Sequence, residues 1–315
     1  MSDNKYLKLG AFFDGRPGHE KQTVGIVTSL QQKISIELVT INVSRKIAPL
    51  QVLDVVRYYA APSREKYPDL ADCNLLIGTG THTHLPMLDV KKVHGLPVVT
   101  CMSPASYLQN RFDLIFSPQH DRPEKAANIV ETVGPPNPNS DTGRHEDDRV
   151  LLLCGGSDPK SHSWNSDEIV ACFEKLVQHG PSRKYILSSS PRTPVETVLQ
   201  LISLADQYDN IDFHDFANTP RGWVEKQYER CAQVWVTADS ISMVYEALSS
   251  GCRVGIVPVR WRRHDSKFSR SVQYLMKTGR VVNVEDYLHS NHTWRSHEAL
   301  NEAGRCADEI LKRFL

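Results

Sequence analysis

The sequence has no surplus charge of either sign. Its 37 lysines and arginines equal its 37 aspartates and glutamates, so no global field draws the chain to nucleic acid or to an acidic membrane. Long apolar runs are missing too. Nothing approaches the ~18 apolar residues of a membrane span, and MSDNKYLKLG holds no apolar stretch of signal-peptide length. Seven cysteines are scattered without a CxxC pair. Several of them, including Cys101, Cys154 and Cys231, fall in apolar segments and read as small core residues in a reducing compartment. The expectation is a cytoplasmic protein, with peripheral contact at the inner membrane face left open.

The sequence signatures of several enzyme classes are absent. No GxxxxGKS/T occurs, so there is no P-loop, and no GxGxxG follows the first strand, which counts against a dinucleotide oxidoreductase. His82 and His84 are two apart, as are His162 and Trp164, and the remaining histidines keep no ligand spacing with acidic or cysteine partners. No protein-held metal and no cofactor is expected.

What is present is a rhythm of short apolar strands, each ending in a polar, often Gly-rich turn. In the first half, strands are expected at 6–13, 35–43, 75–77, 97–102 and 112–116, with helices near 23–30, 50–60 and 87–94. Residues 134–149, GPPNPNSDTGRHEDDR, hold three prolines and no large apolar side chain, and read as a linker. The rhythm restarts with strand 150–154, and a last helix is expected over 294–315. This pattern is α/β: two Rossmann-like domains with parallel sheets facing across a cleft, 1–135 and 150–290, the final helix packing back on the first. In such sheets ligands bind at the turns that follow the strands' carboxyl ends.

The stretch VWVTADSISMVYEALSSGCRVG, 234–255, is one complete strand–turn–helix–strand unit. Ile241, Val244, Tyr245 and Leu248 give its helix one apolar face. Ser240 and Ser242 put hydroxyls beside backbone N–H groups at the positive helix end, which suits a diphosphate. Glu246 falls one turn after Ser242, where a carboxylate reaches two neighbouring sugar hydroxyls. The plainer alternative is that Asp239 and Ser240 only cap the helix and Glu246 is a solvated surface residue. Asp239 is itself an anion where phosphate would sit, so it either faces a sugar hydroxyl or holds the turn.

Other turns add chemistry. In DGRPGHEKQ, Gly15 and Gly18 allow close backbone approach, Arg16 can neutralise an anion, and His19 is the natural base. Gly155, Gly156 and Ser157 open GGSDPK, and Ser188, Ser189, Ser190, Arg192 and Thr193 form the next equivalent turn, a place for phosphate contacts. The basic cluster Arg260, Arg262, Arg263, Lys267 and Arg270 suits an acidic acceptor, a phospholipid surface or nucleic acid, the last with too few interleaved aromatics for single strands, or is a salt-bridged solvated face.

In this order, DGRPGHEKQ, FDLIFSPQHD, CGGSDPKSHSW, SSSPRTP and VTADSISMVYEALSSGCRVG resemble the family of the plant elongated-mitochondria fission protein and its bacterial relatives. The bacterial members are regarded as GT-B glycosyltransferases, and the layout is similar to the GlcNAc transferase of peptidoglycan synthesis. The resemblance implies that His19 is the base, that Asp14 is catalytic with it, and that Gly15, Arg16, Gly18, Gln22, Gly80, Thr81 and His120 lie on the acceptor side. It implies a nucleotide-sugar site of Gly155, Gly156, Ser157, Ser189, Ser190, Arg192, Thr193, Phe216, Asp239, Ser240, Ser242 and Met243, with Glu246 on the ribose. The chain departs from the family where Thr81-His82 replaces an arginine pair and where Pro191 precedes Arg192. The implied function is metal-independent transfer of a sugar from a nucleoside diphosphate donor to a carbohydrate or lipid-linked acceptor, lipopolysaccharide included. A sugar-nucleotide epimerase, or a non-catalytic membrane-recruited interaction protein, on the same scaffold is the alternative.

Overall fold

A computed structural model describes residues 6–60, 66–263, 265–289, 294 and 298–315. The chain divides into two compact units, Met1–Pro138 with Asn301–Leu315, and Asn139–Leu300.

Unit 1 is built on strands β1 (Tyr6–Phe13), β2 (Ser35–Asn42), β3 (Leu75–Thr79), β4 (Val98–Cys101), β5 (Leu114–Pro118) and β6 (Ile129–Thr132). They pair in parallel in the order β2-β1-β3-β4-β5-β6. Helices α1 (Pro17–Gln31), α2 (Ala48–Ala60), α3 (Thr81–His94) and the short α4 (Ser106–Gln109) connect them. Alternation along β1 sends Leu7, Leu9 and Ala11 to a core shared with Ile26 and Leu30 of α1 and with Ile310. It sends Phe12 to a second core with Leu76 and Met87. Both sheet faces are covered, which is why the strands read as nearly unbroken apolar runs.

Unit 2 repeats the plan with β7 (Glu146–Leu153), β8 (His162–Ser163), β9 (Lys184–Ser188), β10 (Ile211–His214), β11 (Cys231–Thr237), β12 (Arg253–Val257), β13 (Arg260–Trp261) and β14 (Val281–Asn283). Its parallel sheet runs β10-β9-β7-β11-β12-β14, and β8 and β13 form a separate antiparallel ribbon. The helices are α5 (Ser166–His179), α6 (Val195–Gln207), α7 (Trp223–Tyr228), α8 (Ile241–Ser249), α9 (Lys267–Lys277) and α10 (Val284–His289). The last helix, α11 (Glu302–Phe314), belongs to unit 1. Trp235 of β11 is buried in the core with Val150, Phe173 and Leu201. A Cβ at Gly255 would lie 2.3 Å from that indole, so the next strand carries glycine there.

Several boundaries differ from the sequence reading. The segment 134–149 is no free linker: Pro136 and Asn137 are buried, and β7 already begins at Glu146. Asn137 lies so close to α1 that a Cβ on Gly25 would be 2.5 Å from its carbonyl carbon. The last helix starts at Glu302 rather than 294, because Asn301 caps it by accepting from the Gly304 amide at 2.9 Å. Residues 295–297 of the expected helix lie outside the described residues. The units therefore end at 138 and 300, not 135 and 290. The strand β6 and the helices α4 and α10 were not anticipated; each is six residues or fewer and has too few positions to show a period.

In unit 2 the chain runs outward β7, β9, β10, then returns to run outward the other way, β11, β12, β14. The carboxyl ends of β7 and β11 lie side by side at this reversal. In unit 1 the corresponding reversal falls between β1 and β3. Such points leave a crevice between diverging connections.

Candidate functional site

At the reversal in unit 1, Asp14 follows β1 directly and His19 stands in the first turn of α1. The expected long turn is only Asp14–Arg16, because Pro17 starts the helix at once, its fixed φ and missing N–H suiting the first position. Asp14 is buried, and its Oδ2 lies 2.8 Å from His19 Nδ1 while Oδ1 accepts from the Arg16 amide at 3.1 Å. A carboxylate only accepts, so Nδ1 carries the hydrogen, and in the neutral ring Nε2 keeps its lone pair. Gly80, at the end of β3 with φ +95°, makes room for the ring: a Cβ there would sit 2.2 Å from His19 Nδ1. Asp14, His19 and Gly80 thus form one cluster from neighbouring strands.

The other residues expected on this side are dispersed. The Gln22 amide donates back to the Gly18 carbonyl at 3.2 Å. The Gly15 amide, at φ +73°, donates to Glu20. Thr81 is exposed in the first turn of α3, and His120 lies in a tight turn after β5, its Nε2 3.8 Å from Asp121.

At the reversal in unit 2 lies a pocket of about 520 Å³, lined by residues that include Ser157, Arg192, Asp239, Ser240, Ser242 and Met243. The glycine turn after β7 packs against Asp239 and Ser240 and leads into this lining at Ser157. The Gly155 amide donates to Thr237 Oγ1 at 2.7 Å, and the Gly156 amide to Asp239 Oδ2 at 3.1 Å. No side chain fits at either position. A Cβ on Gly155 would meet Ser240 Oγ at 2.3 Å, and one on Gly156 the Arg192 carbonyl at 2.0 Å.

Ser240 occupies the N-cap position of α8 without capping through its side chain. Its hydroxyl donates to Asp239 Oδ2 at 3.1 Å instead. The amides of Ile241 and Ser242 therefore find no acceptor among the described residues and open at the pocket wall. Arg192 lies across from them, its Nη2 2.8 Å from Asp239 Oδ2 and its Nη1 3.3 Å from the Gly156 carbonyl. The acid expected to conflict with phosphate is thus already matched by a cation and an amide.

The serine turn serves a different purpose from the one expected. The Ser190 hydroxyl donates to the Gly155 carbonyl at 2.8 Å, as does that of Thr193. Ser189 Oγ accepts from the Phe216 amide at 2.8 Å, and Ser188 Oγ donates to the Ser189 carbonyl. The Ser190 and Thr193 hydroxyls thus hold the glycine turn, and of the expected cluster only Arg192 lines the pocket. Phe216 is half exposed beyond it. Glu246 is not a solvated surface residue: it is 7% exposed and lies outside the lining. Its charge adds to burial in pushing the Tyr228 phenol pKa up.

His162 was missed as a structural part of this site. It is buried, and since a carbonyl only accepts, its Nε2–H donates to the Gly156 oxygen at 3.1 Å, leaving Nδ1 to accept from Ser161 at 2.7 Å. The first bond fixes the Gly156–Ser157 peptide, whose N–H donates to the Arg192 carbonyl at 3.1 Å. The alternation of Ser161, His162 and Ser163 before an aromatic is the only trace of this in the sequence. Among the described residues no three of His, Cys, Asp and Glu converge as metal ligands.

Residues 17–314 match the family described as Mitochondrial fission ELM1. The chain belongs to that family. No curated protein sequence matches this ELM1-family chain. Among solved structures it is similar to a Listeria monocytogenes protein assigned as a UDP-N-acetylglucosamine 2-epimerase, with a TM-score of 0.62, 12% identity and coverage of 98% of this chain and 95% of that one. It is also similar to Phytolacca americana UGT2 complexed with UDP-2-fluoro-glucose and pterostilbene (TM-score 0.53, 9% identity, 98% and 90% covered). A third is the Methanocaldococcus jannaschii UDP-GlcNAc 2-epimerase in complex with UDP-GlcNAc and UDP (0.51, 12%, 97% and 99%). At these identities the likeness establishes the fold, which is GT-B: two Rossmann-like units with parallel six-stranded sheets.

Proposed function

We propose that this ELM1-family chain is a sugar-nucleotide enzyme, a glycosyltransferase that moves a sugar from a nucleoside diphosphate donor to a carbohydrate or lipid-linked acceptor. The observation that carries the reading is the unit 2 pocket, where two unaccepted helix amides and Arg192 converge at a chain reversal. A diphosphate supplies the acceptors those groups lack, and the positive helix end offsets its charge. The same groups would stabilise the leaving diphosphate in place of a metal ion. The UDP and UDP-sugars bound in fold relatives support a uridine donor. Glu246, one turn beyond Ser242, would hold the ribose hydroxyls. In unit 1, His19 Nε2 would take the acceptor proton, and Asp14 would hold the ring and stabilise the imidazolium as it forms.

The test is turnover of UDP-sugars with and without glycan acceptors. Release of UDP that depends on an acceptor supports the transferase. His19→Ala should then lower turnover by roughly 10²–10⁴-fold while leaving UDP binding nearly intact; near-normal turnover would remove His19 from the mechanism. The second reading, an epimerase, is favoured by the epimerases among the fold relatives. It predicts conversion of the UDP-sugar with no acceptor present, which the same assay detects.

A further inference from the structure

Asp239 is an acid in a place that favours anions. It lines the pocket at the N-terminal end of α8, and its side chain is 1% exposed. The Gly156 amide, Arg192 Nη2 and the Ser240 hydroxyl all converge on Oδ2. Oδ1 is buried and finds no donor among the described residues. An ionised carboxylate offers about four lone-pair positions, so half of its capacity stands idle where water does not reach. Buried acceptors are seldom left in that state.

A phosphate cannot fill the gap, because at neutral pH it brings acceptors and a like charge. A hydroxyl can, because it brings a donor and no charge. Arg192 covers the carboxylate while its own side chain stays 46% exposed, so it can swing from Asp239 to a diphosphate at the Ile241 and Ser242 amides. The carboxylate is then uncovered beside the diphosphate, where the sugar of a glycosyl diphosphate begins.

We propose that Asp239 is a specificity determinant that accepts a hydrogen bond from a hydroxyl of the donor's sugar, so that the pocket takes a glycosyl diphosphate in preference to a nucleotide ending in phosphate. The inference rests on the donor-pocket reading and adds the group that distinguishes its ligands. Arg192 serves the diphosphate, Asp239 the sugar. A third phosphate in the sugar's place meets the carboxylate as a like charge.

Calorimetric titration of the full chain with UDP, UTP and UDP-N-acetylglucosamine tests this. The parent should bind the UDP-sugar at least tenfold more tightly than UTP. In Asp239→Asn the Gly156 N–H and Ser240 hydroxyl hold the amide oxygen at the Oδ2 position, which puts an NH₂ donor where Oδ1 was. The variant should reduce the gap to under threefold, mainly by weakening the UDP-sugar. Equal weakening of all three ligands, or an unchanged gap, would overturn the proposal and leave Asp239 as a turn residue. Should the variant fail to fold, the parent still decides: UTP binding as tightly as the UDP-sugar also overturns it. A parent that binds none of the three removes the donor-pocket reading itself, a failure distinct from loss of the preference.

Discussion

The His84 imidazole is fully buried in α3, and burial pushes its pKa down to about 4 from the ordinary 6.5. Thr100 gives its hydrogen to a backbone carbonyl, so His84 Nε2 donates to Thr100 Oγ1 at 3.2 Å, and Nδ1 is buried without a partner among the described residues. The sign of the consequence follows from proton binding. Between pH 6.5 and 4 the unfolded chain protonates this group and the folded chain does not, so stability falls as pH falls through that window, by about 3 kcal/mol at its lower end. Urea titrations at pH 7 and 4.5 should show this loss in the parent and much less of it in His84→Gln; equal losses would mean that other groups carry the acid sensitivity. Glu246→Ala should weaken UDP binding ten- to hundredfold, about 1.4–2.8 kcal/mol, and leave pyrophosphate, which has no ribose, nearly unaffected. Unchanged UDP affinity by calorimetry would make Glu246 a core residue of α8 only. Asp14 and His19 both fall in the motif DGRPGHEKQ that the sequence singles out, whereas their pairing is visible only in the structure. The commitment of the Ser190 and Thr193 hydroxyls to Gly155 was not legible, since nothing in the sequence tells whether a serine faces its own turn or a ligand.

Among the elements, strands with a strong apolar signature were legible, since burial on both faces makes β3, β5, β9 and β11 continuous apolar runs. In helix α5 Ile169, Phe173, Leu176 and Val177 keep one buried face, and Asn165 caps the helix by accepting from the Glu168 amide. Boundaries set by tertiary contact were not legible. β7 extends back to Glu146 through charged residues because Glu146 pairs in register with Cys231, and α1 begins early at Pro17. For α11 the decisive residue is Asn301. Its side chain accepts from the Gly304 amide, and the helix buries Ala303, Cys306, Ala307 and Ile310, the last three against the first core of unit 1. Asn301→Ala should cost about 1 kcal/mol of stability, the usual worth of such a cap, read as a lower urea midpoint with unchanged slope. An unchanged midpoint would show that packing of the buried face alone fixes the start of α11.

At the scale of the molecule, each unit places its chemistry at its own chain reversal: Asp14, His19 and Gly80 in unit 1, and Gly156, Arg192, Asp239 and α8 in unit 2. The two-domain α/β plan was legible because the strand–turn–helix rhythm restarts at Val150, and the strand orders were not, because periodicity does not say which strands are neighbours. The order matters most in unit 2, where it sets the turn after β7 beside the turn after β11 and so brings Gly156 to Asp239 from 83 residues away. The central claim is that this reversal is a nucleotide-diphosphate site, and a crystal structure of the full chain with UDP tests it most directly. The account predicts the diphosphate oxygens on the Ile241 and Ser242 amides, with Arg192 drawn toward them from Asp239. UDP bound elsewhere, or a pocket left empty at saturating UDP with Arg192 still paired to Asp239, would contradict it.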